Sequence, residues 1–358
     1  MKNKFLLIAA FGFCFSGFAQ PVLNQEHFAD VDESYVFSTL VDLTVDYSST
    51  GANYTWDFSN LSTTDQRWLI TRPVSEAGQL SNFMFGNFAS PAIYKATYFN
   101  EATDLPLDEW TASFPVTFDG ISQFTKNLPA DINSIGFEFV INGQALPVRS
   151  DTIEQRYQLP VEYGDEVESR GYTDLNMNPI YDAQWRQHRH RVTSVDGWGT
   201  VITPYGTFSA LRIHHRIEEI DSFNVSGTWV GIPIPNSHIY EWRTTSEKES
   251  VMTITTSEIA GDEVVTNVEY RDNYNGLGLE NSEVTLSVYP NPAVNELKYD
   301  ISANTSYVSI IDMKGRVIYQ TSLTTNSGSI DITNFAPGSY HAVFRTENGM
   351  KSQEFIKK

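Results

Sequence analysis

A chain of 358 residues with 41% hydrophobic and 19% charged side chains is long enough for two or three domains and excludes wholesale disorder. The 13% share of aromatic residues favours β-rich structure, where flat side chains pack on pleated surfaces. A formal charge of −20 excludes nucleic-acid binding driven by bulk electrostatics.

The chain opens with MKNKFLLIAAFGFCFSGFAQ. Lys2 and Lys4 precede an apolar run from Phe5 to Phe18 that is too short to span a bilayer. Gly17 and Ala19 put small residues before a cut between Ala19 and Gln20, so residues 1–19 read as a secretory signal peptide. Cys14, the single cysteine, falls inside that peptide. From Gln20 onward there is therefore no disulfide, thiolate nucleophile or cysteine ligand, and the fold must be held by its core.

Residues 20–270 read as an all-β body, an antiparallel sandwich or half-open barrel, with two halves dividing near residue 150. The sequence ALRIHHRIEEI places Leu211, Ile213, His215 and Ile217 on one strand face and Arg212, His214, Arg216 and Glu218 on the other. Asp196-Gly197 and TPYGT (203–207) are turn signals between such runs. From Gln20 to Thr285 fifteen Lys and Arg face thirty-eight Asp and Glu, leaving −23. Such a body is expected to repel nucleic acid and anionic lipid, and no second hydrophobic run reaches transmembrane length.

Two basic strands stand out in this acidic body. RQHRHR holds Arg186, His188 and His190 on one face and Arg189 and Arg191 on the other, and RIHHR holds Arg212, His214 and Arg216. Placed side by side, Arg186, His188, His190, Arg212, His214 and Arg216 form a candidate site for a carboxylate, phosphate or sulfate. The alternative is surface ion pairing with acidic strands such as Glu218 to Asp221. His188 and His190 also have the spacing of a strand-borne zinc pair, but flanking arginines oppose a cation. DLNMNPIYD (174–182) echoes a calcium loop through Asp174, Asn176, Asn178 and Asp182, yet it lacks the central glycine and carries Trp185 at the bidentate position, which favours a polar turn. No cofactor is therefore expected, with calcium or zinc as the alternatives. Neither G-x-S-x-G nor H-E-x-x-H occurs, and Asp108-Glu109 beside Trp110 is one place to look for a glycosidase acid pair.

Residues 271–285, RDNYNGLGLENSEVT, are polar and carry Gly and Asn, which reads as a linker. Residues 286–358 form a small module with a balance of +1, seven basic against six acidic residues. TLSVYP, ELKYDI, YVSIIDM, RVIYQTS, SIDITN, SYHAVFRT and KSQEFIKK predict seven short strands of a small Ig-like β-sandwich. Pro290 and Pro292 deny two backbone donors and keep their segment extended at an edge.

VYPNPAVNEL, IIDMKGRVI, ITNFAPGSYHAVF and the final FIKK, in that order at the end of the chain, resemble the type A C-terminal sorting domain of the type IX secretion system. The resemblance covers this module alone, and His341 stands where that family favours an apolar or small residue. It implies transit through the periplasm, recognition of the module by outer-membrane secretion machinery, and a cell-surface or secreted destination. Pro290, Asn291, Pro292, Gly315, Gly338, Tyr340, Lys357 and Lys358 match the family pattern, which implies a recognition role and no catalysis. The body is then expected to be a non-catalytic extracellular binding module with an unknown ligand. The alternatives are a secreted hydrolase of polysaccharide or another polymer and a structural or adhesive surface component.

Overall fold

The computed structural model describes residues 20–358 apart from 43, 64, 106–117, 142, 179–181, 275–284, 303–304, 313–316, 324 and 347–348. The signal peptide with Ala19, the pair Asp108-Glu109 and Gly315 lie outside the described residues.

Period-two alternation builds the longest elements. The body strands are β1 (Ser34–Leu40), β2 (Gly51–Asp57), β3 (Gln66–Ile70), β4 (Tyr98–Glu101), β5 (Phe118–Asn127), β6 (Asp131–Ile141) and β7 (Gln144–Gln158). They continue as β8 (Glu166–Asn176), β9 (Ala183–Thr203), β10 (Gly206–Val225), β11 (Thr228–Ile232), β12 (Ser237–Thr244), β13 (Met252–Ile259) and β14 (Asp262–Asp272), and a short helix α1 (Gln79–Phe85) lies between β3 and β4. All belong to one sheet in the order β3-β1-β14-β13-β12-β10-β9-β8-β7-β6-β5-β4, with β2 beside β9 and β11 beside β10. The two ends of that path meet. Just past β3, Arg72 pairs with Phe99 of β4 through two backbone hydrogen bonds of 2.8 and 3.0 Å. The body is therefore a nearly closed antiparallel barrel, more closed than the half-open form that alternation alone suggests. Residue 150 lies within β7, which pairs with β6 on one side and β8 on the other, so strands from both sequence halves share one path.

The hairpin of β9 and β10 is the spine of the barrel. Its turn is the expected one, with Gly206 paired to Thr203. Leu211, Ile213, His215 and Ile217 all face inward and are buried. A bulge at Arg212/Ile213 leaves Asp196 as the extra residue, and the Asp196 carboxylate meets the Arg212 guanidinium there. Beside the bulge, β2 runs parallel to β9 so closely that a Cβ on Gly199 would lie 1.9 Å from the carbonyl oxygen of Tyr54. Only glycine admits that approach.

The closing residues form seven further strands: β15 (Leu286–Tyr289), β16 (Glu296–Ile301), β17 (Thr305–Asp312), β18 (Val317–Ser322), β19 (Ser327–Asp331), β20 (Gly338–Thr346) and β21 (Gly349–Lys357). They make two small sheets, β15-β16-β19 and β18-β17-β20-β21, that are separate from the barrel sheet. Leu297, Tyr299 and Ile301 from one sheet pack on Val308, Ile310, Phe344 and Phe355 from the other in a hydrophobic cluster of their own. Contacts with the preceding chain include Arg72 of the body over the Tyr307 ring at 5.6 Å and Tyr274 of the linker edge-on to His341 at 5.6 Å.

Candidate functional site

In the tail, folding joins sequence motifs that are more than sixty residues apart. Pro290, Asn291 and Pro292 follow β15, and a side chain placed there cannot extend the ladder because two prolines lack donors. Instead the Asn291 side chain clasps β21. Its amide donates to the Glu354 carbonyl at 3.1 Å and its oxygen accepts from the Ile356 amide at 2.9 Å. Ala293 then pairs with the chain terminus, donating to the Ile356 carbonyl at 2.8 Å and accepting from the Lys358 amide at 2.9 Å. Gly338 lies opposite Lys357 and Tyr340 opposite Phe355 in the β20–β21 register. The Tyr340 hydroxyl donates back to the Ala336 carbonyl at 2.8 Å, fixing the approach to β20. Seven of the eight motif residues expected from the sequence thus gather at one end of the sandwich, and the eighth, Gly315, is outside the described residues.

On the outside of the barrel, β9 and β10 are direct neighbours, so the two basic runs do lie side by side. Their six candidate residues do not converge on one point. Arg186 pairs with Asp174 at 2.9 Å and covers the Trp229 ring at 4.2 Å. His188 packs against the Tyr172 ring at 4.5 Å with the planes tilted by 35°. His190 lies between Glu168 at 2.9 Å and Glu218 at 3.2 Å, and Arg216 binds the same Glu218 at 2.6 Å. Further along, Arg212 is buried against Asp196, the Tyr47 carbonyl and the rings of Tyr240 and Trp242. His214 stacks on Tyr240 and contacts His238 Nδ1 at 2.9 Å through Nε2, while His238 meets Glu258 at 3.1 Å. Burial first, then the neighbouring His238, pulls the His214 pKa down to about 4. The acids Asp174, Glu168, Glu218 and Asp196 therefore already neutralise much of this face. Asp174 also accepts from Gln184 at 2.5 Å, so its carboxylate is engaged within the barrel wall. Among the described residues no group of three His, Cys, Asp or Glu side chains is placed to hold a metal ion.

The charged residues that the sequence does not single out lie inside. Gln187, Arg189 and Arg191 share the buried face of β9 with Trp185 and Val195. Asp104 Oδ2 receives Arg156 at 2.8 Å, Arg191 at 3.0 Å and Arg189 at 3.3 Å. Glu154 receives Arg191 at 2.7 Å and Arg189 at 3.6 Å, and Glu219 receives Arg189 at 3.1 Å and the Gln187 amide at 2.8 Å. Three guanidinium groups thus meet these three carboxylates, and a fourth acid, the fully buried Asp221, hydrogen-bonds Glu219. Burial opposes the charge on Asp104 and Glu154, but Arg156, Arg189 and Arg191 outweigh it, holding Asp104 far below the usual carboxylate range and Glu154 at about 2. Glu219 is shifted upward, because burial there exceeds the help of Arg189. One signal in the sequence marks this cluster: Arg189 and Arg191 occupy the same strand parity as Trp185 and Val195.

A second polar group lies one layer along the barrel. Glu241 accepts from Tyr157 at 2.5 Å, from His215 Nε2 at 3.1 Å and from the Ser250 hydroxyl, and Arg243 covers it at 3.4 Å. Thr193 Oγ1 is 2.8 Å from His215 Nδ1. Burial lowers the His215 pKa, so the ring is neutral. Because an ionised Glu241 can only accept, Nε2–H donates to it and Nδ1 accepts from Thr193.

The chain is thus an all-β barrel joined to a small C-terminal sandwich that has its own core and whose motif residues meet at one end. Residues 287–358 match the family of secretion-system C-terminal sorting domains. That segment is a type IX sorting domain and marks the chain as a substrate of the type IX secretion machinery, bound for the cell surface or the medium. No curated protein matches the chain. Among solved structures it aligns with PorZ, an essential bacterial surface component of the type-IX secretion system of Porphyromonas gingivalis, at 9% identity and a TM-score of 0.18. The alignment covers 65% of this chain and 51% of that one. Among the described residues no helix is long and apolar enough to cross a membrane.

Proposed function

We propose that the chain is an exported surface or secreted protein whose barrel is a non-catalytic binding body and whose last seventy or so residues serve only as the address. An N-terminal signal peptide would deliver it to the periplasm, where the folded sandwich presents the exposed Pro290–Pro292 clasp and Lys358 to the export machinery. The observation that carries this reading is the tail itself: a sandwich with its own core, in which the segment from Pro290 to Ala293 and the chain end are bonded together. The barrel interior supports recognition on its outer surface. It is occupied by paired charges, and the cavity touching Tyr157 and Thr193 has a volume of about 10 Å³, at the lower limit for a single water.

One observation favours the hydrolase alternative, namely the Thr193–His215–Glu241 relay, which has the order of a nucleophile, a base and an orienting acid. Thr193 is only 8% exposed, so a substrate cannot reach it in this form of the barrel. The binding reading is the stronger. Its test is fractionation of a bacterium with this secretion system expressing either the full chain or a chain ending at residue 285. The full chain is expected at the surface or in the medium and the shortened chain in the periplasm. Equal export of both sinks the address, whereas turnover of a polymer substrate that is lost in Thr193→Val would sink the non-catalytic body.

A further inference from the structure

The body carries its acids almost everywhere except between Glu76 and Glu101, the longest stretch of the body without Asp or Glu. That stretch also displays the two most exposed large apolar side chains of the described body, with two more beside them. Phe88 is 90% exposed, Phe83 71%, Leu80 54% and Ile93 52%. Leu80 and Phe83 are one turn apart on α1 and share a face.

The display is held rigidly. Below α1, Phe85 is fully buried and stacks on Phe124 at 4.0 Å. The Arg149 guanidinium donates to the Met84 carbonyl at 2.5 Å and to the Ser90 carbonyl at 3.0 Å, so one cation ties both ends of the loop that carries Phe88. Lys126 Nζ donates to the Ala92 carbonyl at 2.5 Å, beside Ile93. Lys95 is exposed on the same segment. Under the helix Glu138 is buried and bonded to Ser81, and Asp131 is the acid that acts on Lys126. Exposed phenylalanines on a braced loop, ringed by Lys95, Lys126 and Arg149, cost hydration without any return inside the fold.

We propose that this face docks the body on an anionic lipid surface, with Phe83, Phe88 and Leu80 entering the headgroup–acyl boundary and Lys95 and Lys126 facing lipid phosphates. The side chains protrude, and a bilayer interface accepts protruding aromatics. The charge of the patch is opposite to that of the body. At physiological ionic strength repulsion from the remaining carboxylates fades beyond about 8 Å, so the local cations govern contact. The bulk-charge expectation of lipid repulsion then holds for the rest of the surface and fails here.

The test is co-sedimentation of the purified full chain with vesicles of phosphatidylethanolamine and phosphatidylglycerol, and with phosphatidylcholine vesicles. Binding to the anionic vesicles is expected, and the double variant F83S/F88S should weaken it at least about tenfold. Lys95→Glu should weaken it and reduce the preference for phosphatidylglycerol. The variant I220S/V230S, which removes exposed apolar groups elsewhere on the barrel, should bind like the parent. All variants alter exposed side chains, and circular dichroism checks that each retains its fold. Absence of binding, equal binding by F83S/F88S, or a dimer of the parent that F83S/F88S disperses would overturn the proposal, the last assigning the face to a second copy of the chain.

Discussion

The tail and the body are both antiparallel β, yet their interiors differ in kind. Across the tail sandwich Leu297, Ile301, Val308, Ile310, Phe344 and Phe355 meet with no charge between them. In the body the inward face of β9 carries Trp185 and Val195 but also Gln187, Arg189 and Arg191, which together with Arg156 bond Asp104, Glu154 and Glu219. Geometry explains part of the difference. Two small sheets face each other about 10 Å apart, a gap that apolar side chains fill. A path of twelve strands closing on itself encloses a wider space, and long guanidinium and carboxylate side chains reach across it. The lesson is that the interior of the tail is apolar, with its polar contacts kept to the ladders and the Asn291 clasp, whereas the interior of the body depends on charge pairing.

The strongest way to break that comparison is to remove one charge from the network. Arg191→Ala leaves Glu154 without its 2.7 Å partner and Asp104 with one cation fewer. The expected loss is about 3–5 kcal/mol, because an uncompensated buried charge remains. Chemical denaturation should show the body transition shifting and the tail transition staying in place. A shift below 1 kcal/mol, approximately the scale of an exposed ion pair, would mean that water enters the barrel and that the network is not buried in solution.

The reciprocal experiment uses the tail. Phe355 is fully buried and stacks on Tyr340 at 5.7 Å. Phe355→Ala should cost about 3–5 kcal/mol, which is comparable to the whole stability of a small domain. The tail should unfold first and export should fall, with the body transition unchanged. Simultaneous loss of both transitions would show that the tail and the body fold as one unit.

A smaller effect comes with pH and sharpens the account of the outer face. His214 has its pKa lowered from 6.5 to about 4 by burial and by His238, with Arg212 adding to the effect and Asp196 opposing it. The unfolded chain therefore binds more protons than the folded one between those values, so stability rises with pH across that window and is lost as pH falls from about 6.5 towards 4. The contribution is about 3 kcal/mol when fully expressed. His214→Gln should flatten the stability curve over that interval, and an unchanged slope would assign it to another group.

These contrasts also show what the sequence made legible. All seven tail strands and the meeting turn of β9 and β10 follow from alternation and turn residues, because the tail has one apolar face per strand and TPYGT admits few alternatives. The burial of Leu211, Ile213, His215 and Ile217 is equally plain from their spacing. The charged interior is hidden for the opposite reason. In RQHRHR both faces carry polar groups, so composition draws attention to Arg186, His188 and His190, while parity with Trp185 and Val195, several residues away, puts Arg189 and Arg191 inside. Closure through Arg72 and Phe99 joins segments that no local pattern links. The clasp of Asn291 on β21 is likewise a contact between distant residues, visible in sequence only as two separate motifs.

The weakest expected effect tests whether position relative to the barrel wall, and not charge itself, decides the energetics. Arg170 and Glu168 on β8 form a 2.9 Å ion pair whose side chains are 73% and 56% exposed. The distance is close to the Arg191–Glu154 contact, and the residue types are the same. In water the Coulomb attraction is screened, and holding two long side chains in place costs rotamer entropy. Arg170→Ala should therefore change stability by less than about 1 kcal/mol, and added salt should shrink even that. Measured beside Arg191→Ala, the two substitutions separate burial from bond length. Equal losses would mean that the interior network has the energetics of a surface pair, and the contrast between an apolar tail and a charge-dependent body would disappear.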